Sequence, residues 1–250
     1  MCNPKIVRIV PSYYAKSLYS QPENLNIEYL KSTDVIRVSQ LLHIADPEIG
    51  KTYIRSPYDD DCYYTIEDYE MHVWQSKIYN IANIARRLGA TSAAFDLVLA
   101  TKTKRNVNAN LQGKTKTVNG NIDFSKEEED ALNNIFKTEL QFNPNAIMPT
   151  PQAYEKAIMF AETHHLYHNN ESIKAMFDMR NPNDLANNLG QWHLHIELCN
   201  DTNSDLGMAA KLESVGGISL DSSFKKAIQY EKTVNIDIDF QFSLVPPQNL

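Results

Sequence analysis

The sequence predicts an α+β protein: a long-stranded antiparallel sheet from two hairpins separated by a helical block, with an N-terminal helical segment. Three observations carry this expectation. The segment NIDIDFQF at 235–242 alternates without exception, with Ile236, Ile238, Phe240 and Phe242 apolar and Asn235, Asp237, Asp239 and Gln241 polar. That is the pattern of a strand with one core-facing side and one solvent-facing side. The alternation continues backwards well beyond an ordinary strand of about five or six residues, and helical spacing takes over between the two alternating regions.

The 250 residues are read as one domain in five segments. Residues 1–90 are expected to be mainly helical, 91–125 the first hairpin, 126–189 a helical block, 190–243 the second hairpin and 244–250 a tail. A hydrophobic share of 42% with 22% charged residues is ordinary globular composition that can bury a sizeable core. A mean hydropathy of −0.43, with no apolar run of about 18 residues, excludes a transmembrane helix. The N-terminal MCNPKIVRIVPSYYAKS lacks the apolar core and cleavage pattern of a secretory signal. Cys2, Cys62 and Cys199 are odd in number and lack metal-ligand spacing, which points to a reducing, cytoplasmic setting.

Element by element, Asp34 is placed to cap a helix carrying Val35, Val38, Leu41, Leu42 and Ile44. Thr65 with Asp68 reads as a capping box for the clearest helix, whose stripe is Trp74, Ile78, Ile81, Ala85 and Leu88. Arg86 and Arg87 suit its last turn, and Gly89 suits its C-cap. Alternation from Phe95 predicts strands at about 92–110 and 115–125, with Asn119-Gly120 as a competing turn. Ser125 with Glu128 forms a second capping box, Thr150-Pro151 opens another helix, and a third short helix spans 171–179. Period two returns at Trp192, Leu194, Ile196 and Leu198 and continues in parity through Leu206 to Leu212, then from 218 to 242. Both stretches are expected to be strand.

Two lengthy amphipathic hairpins around a helical block give a layout that resembles the perforin-like and gasdermin-like pore-forming classes. No motif of either class stands in the chain, so the resemblance is of layout alone. It implies a non-enzymatic protein that oligomerises and acts on membranes, as an effector. Residues 234–242 have the unbroken apolar face that a membrane strand of about nine to eleven residues needs. Lys226 and Lys232 on the apolar parity oppose insertion.

The candidate contact residues for an anionic membrane or a second copy of the chain are Lys102, Lys104, Arg105, Lys114 and Lys116. They fall between Asp96 and Asp123, a stretch that carries no acid in a chain of net charge −7. The absence of interleaved aromatics and the acidic balance weigh against nucleic acid. The alternative function is a soluble cytosolic protein-interaction module that uses the polar side of the sheet or the helical face for a partner. A third is a His-dependent metalloprotein: His164 and His168 lie four apart on a helix, while His193 and His195 share a strand face with Glu197 and Cys199. No catalytic residue, metal ligand or cofactor is assigned, because nucleophile elbows, phosphate loops and dinucleotide fingerprints are missing. No ligand is identified either.

Overall fold

The computed structural model describes residues 5–10, 27–31, 39–40, 42, 47–104, 121–168, 170–184, 188–215, 225 and 228–247. Four β-branched residues around Arg8 make Ile6–Val10 a natural strand, β1, and every one of its residues is buried. Strand β2 (Ile27–Lys31) runs parallel to it, with Ile6 opposite Ile27. Strand β3 (Thr52–Arg55) runs antiparallel on its other edge, with Ile6 opposite Ile54. Strand β4 (Tyr63–Thr65) completes the order β2-β1-β3-β4. Arg8 donates from Nη1 to the Thr52 hydroxyl at 2.8 Å, which lets an arginine sit inside this sheet.

These strands stand in a first segment expected to be mainly helical, and among the described residues that expectation is not confirmed. Ile-Val-Arg-Ile-Val carries no alternation because all of its residues are buried, so period two is silent there. The helix expected from Asp34 falls largely outside the described residues; 39, 40 and 42 are helical, and Leu42 joins Val7, Ile9, Leu30, Tyr53 and Tyr63 in a core cluster.

Helix α1 spans Tyr69–Arg87. It starts later than its expected box, because Thr65 ends β4 and its hydroxyl bonds Asp68 Oδ2 at 2.8 Å within a turn. Trp74, Ile81, Ala85 and Leu88 are buried as the stripe requires. Strand β5 (Ala90–Lys104) follows, then β6 (Asn121–Asp123), helix α2 (Lys126–Phe136) and β7 (Thr138–Gln141). The second capping box is present: Glu128 N donates to Ser125 Oγ at 3.3 Å, and Ser125 N donates to Glu128 Oε2 at 2.8 Å. Helix α3 (Pro151–Thr163) is capped by Thr150, and α4 (Glu171–Asp178) by Asn170. Then come β8 (Gln191–Glu197), helix α5 (Asn200–Val215) and β9 (Tyr230–Phe242).

The second sheet is ordered β6-β5-β9-β8, with β7 also paired to β5. β8 and β9 are antiparallel in the register Gln191 opposite Gln241 through Glu197 opposite Asn235. The α+β class with antiparallel pairing and long strands therefore holds, apart from the parallel β1–β2 pair, β5 being 15 residues long and β9 13. The second hairpin differs from expectation, since residues 200–215 are helix rather than strand. The buried positions Thr202, Asp205, Leu206 and Ala209 recur at helical spacing, and two of them are polar. That polarity hides the helix.

By packing, the chain forms two compact units, Met1–Val73 with Lys102–Ile122 and Cys199–Lys232, and Trp74–Thr101 with Asp123–Leu198 and Thr233–Leu250. In the first unit, α5 is held by polar contacts. Tyr58 donates its hydroxyl to Asp201 at 2.5 Å, Tyr69 donates to Asp205, and Lys5 Nζ lies 3.0 Å from the same Asp205 carboxylate. Burial raises the Asp205 carboxyl above the ordinary range, against the pull of Lys5 and Tyr69. In the second unit, buried Arg180 donates to the carbonyls of Leu88, Leu189 and Ser243 at 3.1, 3.1 and 2.9 Å, and its guanidinium stacks 4.8 Å from the Phe242 ring centre.

Candidate binding cleft

Within the second unit a cleft of about 510 Å³ opens where α1 ends, β7 turns away from β5 and α3 begins. Gly89 is one of its lining residues. With φ of +87° it terminates α1 in the left-handed region, and a Cβ there would lie 2.5 Å from the Ile147 carbonyl oxygen. Only glycine admits that approach. The next wall is set by strand pairing, with Ser92 opposite Gln141 and Phe142 N donating to the Thr91 carbonyl at 2.8 Å. Asn143 Oδ1 then accepts from Asn145 N at 3.0 Å, a side-chain-closed turn that carries the chain round to Met148. Met148 N bonds the Val245 carbonyl at 2.8 Å.

Arg86 and Arg87, both exposed, line the mouth. Arg86 Nη2 donates to Asn83 Oδ1 at 3.3 Å, and the Arg87 guanidinium lies 4.6 Å from the Phe160 ring centre, a cation–π contact that orients it against α3. The amides of Gln141 and Asn143 add polar groups, while Ala90, Phe142, Met148 and Pro149 are apolar. Among the described residues lining the cleft, none is acidic, in a chain of net charge −7. The α3 N-terminus contributes little by direct bonding, because Pro151 has no N–H and Ala153 N is taken by the Thr150 hydroxyl at 3.2 Å. Two exposed arginine side chains in a lining that is otherwise polar amide and apolar suit an anion with a hydrocarbon body.

Of the residues expected to make contacts, Lys102 and Lys104 do not line the cleft. Lys102 and Lys104 lie at the end of β5, Lys102 with its ammonium 5.4 Å from the Tyr230 ring centre. Arg105, Lys114 and Lys116 lie outside the described residues. The histidines divide. His164 and His168 sit at and beyond the end of α3, His168 Nε2 3.6 Å from Glu162. His193 and His195 lie on the exposed face of β8, bonded through Nδ1 to Asp239 at 2.9 Å and Asp237 at 2.6 Å. Cys199 is buried, and burial together with Asp59 pushes the half-buried Cys62 thiol up to about 11, away from a reactive thiolate. Among the described residues, no three His, Cys, Asp or Glu side chains are arranged to hold a metal ion, and no helix is long and apolar enough to cross a membrane.

Arg86 and Arg87 were legible in the sequence as last-turn cations, but their partners in the cleft come from β7 and the turn after it, more than fifty positions away. The one local hint is Gln-Phe-Asn-Pro-Asn, a turn separated by four residues from the Thr-Pro helix start. Comparison with known protein families, with curated proteins and with solved structures finds no match.

Proposed function

We propose that the chain is a binding protein whose second unit takes a small organic anion, carrying a carboxylate or phosphate group on an apolar body, in the Arg86–Arg87 cleft. The single observation that supports it is the concentration of two guanidinium groups, with no acidic side chain among the described lining, at the mouth of a partly apolar cleft on an acidic protein. Binding requires no chemistry from the site, in keeping with the lack of a nucleophile–base pair among its lining residues. Calorimetric titration of the full chain with short-chain fatty acids, aromatic carboxylates and organic phosphates tests it. Saturable binding by one of these probes, weakened at least tenfold in the R86Q/R87Q variant with an unchanged circular dichroism spectrum, is expected. Equal affinity in the variant, or no binding by any probe at millimolar concentration, removes the reading.

A second reading, self-association of long strands with action on anionic membranes, is favoured by the outer half of β5. From residue 96 to 104 none of its side chains is buried, and Val98 and Leu99 are 52% and 42% exposed. Light scattering and leakage from anionic vesicles test it with the K102S/K104S/R105S variant. A monomer inert toward such vesicles removes this reading and leaves the cleft untouched.

A further inference from the structure

We propose that His195, Asp237, His193 and Asp239 form a proton-operated clasp that sets how firmly the edge strand β8 is held to β9. The four side chains make one continuous chain across the strand pair. His195 Nδ1 meets Asp237 Oδ1 at 2.6 Å, His193 Nε2 lies 3.7 Å from Asp237 Oδ2, and His193 Nδ1 meets Asp239 Oδ1 at 2.9 Å. The backbone register dictates this, since His193 stands opposite Asp239 and His195 opposite Asp237.

Both ring nitrogens of His193 therefore face carboxylates. A neutral imidazole offers one N–H and one lone pair, and the lone pair would point at a carboxylate oxygen. The imidazolium offers two N–H groups and satisfies both neighbours. The surroundings reinforce this preference. On β8 the other charged side chain of the same face is Glu197, opposite the neutral Asn235; on β9 the charged groups are Asp237 and Asp239. The neighbouring strand β5 carries one charged residue between Ala90 and Thr101, Asp96, which is again acidic. From α1, Lys77 Nζ reaches the Glu197 backbone carbonyl at 3.0 Å. Loss of the His193 proton thus leaves adjacent carboxylates on one strand face with little to balance them. The hydrogen bond that His193 donates to Asp239, with the Asp237 charge adding to it, raises the His193 imidazole above its ordinary value. A raised folded value means the clasp is fully closed below the ordinary imidazole range and opens as pH climbs through the folded value.

β8 is the terminal strand of its sheet among the described residues, so nothing in the sheet flanks its outer edge there. Its attachment rests on β9 alone within the sheet, and loosening it is the step by which that edge changes what it presents.

The test uses the full chain and two readouts. In an NMR titration of the histidine ring protons, His193 is expected to titrate higher than a histidine in an unstructured peptide and to fall back in D239N. Amide hydrogen exchange of residues 191–197, corrected for intrinsic rate, is expected to show severalfold more frequent opening at about pH 8.5 than at about pH 6. In H193Q this difference disappears while the fold persists. A His193 titration unmoved in D239N, or opening of β8 independent of pH in the unmodified chain, overturns the proposal. So does equimolar zinc shifting both histidine signals together at neutral pH, which would make the cluster a metal site instead.

Discussion

Arg180 Nη2 donates to the carbonyl of Ser243 at 2.9 Å, joining positions 63 apart in the chain. The same guanidinium serves Leu88 and Leu189, so one side chain closes the end of α1, the approach to β8 and the exit from β9. No carboxylate partners it in these contacts. Burial pushes the guanidinium down to about 10, still charged at neutral pH, and it works as a three-pronged donor to backbone.

Arg180→Met keeps the bulk and removes the donors. Three carbonyls at buried or half-buried sites then lose their partner, at about 1–3 kcal/mol each when no water replaces it. A loss of about 3 kcal/mol or more in denaturant unfolding is expected. A loss below about 1 kcal/mol would mean that water fills the gap and the arginine is dispensable.

Gly89→Ala and Gly50→Ala form a matched pair. Both glycines have φ of +87°, but a Cβ at Gly50 meets nothing within 4 Å, whereas at Gly89 it meets the Ile147 carbonyl at 2.5 Å. Gly50→Ala is expected to cost about 1 kcal/mol from backbone strain alone. Gly89→Ala adds displacement of the 147 backbone and is expected to cost about 2 kcal/mol more, with weaker ligand binding in the cleft. Thermal unfolding of both variants reads the difference.

Asp205 gives a pH signature of definite sign. Its carboxyl is raised above 3.8 by burial, so the folded state holds the proton more tightly than the unfolded chain. Its contribution to stability is therefore complete below the unfolded value and is lost as pH rises through the folded one. Asp205→Asn abolishes titration at this site. The stability of the native chain relative to this variant is expected to fall as pH rises above the ordinary carboxylate range, measured by urea unfolding.

Ser125→Ala removes one arm of the α2 capping box and is expected to cost about 1 kcal/mol. Ser125→Thr should recover most of it. Equal stability of all three proteins in urea would show that solvent replaces the cap without loss.

Local signals in the sequence were dependable where the partner lies within a turn. Ser125 with Glu128, Thr150 with Pro151 and the Gly89 C-cap are all where the residues put them. Alternation was dependable where one face is wet: Ile236, Ile238 and Phe240 are buried in β9, and the residues between them are not. The reading failed where burial is two-sided, as in β1, and where a helix turns polar side chains inward. Asp205 sits on the buried stripe of α5 because Tyr69 and Lys5 satisfy it from more than a hundred positions away. No window of sequence around Asp205 holds that information. The cleft is illegible for the same reason, since its two arginines and its amides belong to separate elements.

The register of β8 on β9 has a further consequence for how the sheet assembles. Sliding one strand by two positions keeps Leu194 and Ile196 facing the core, because Ile236, Ile238 and Phe240 are interchangeable as greasy neighbours. Oil alone cannot tell these alignments apart. The imidazole–carboxylate matches can: either slide leaves one histidine opposite an acid and the other opposite an uncharged amide, Asn235 or Gln241. The ladder thus works as a vernier, singling out one alignment among several that the interior would accept.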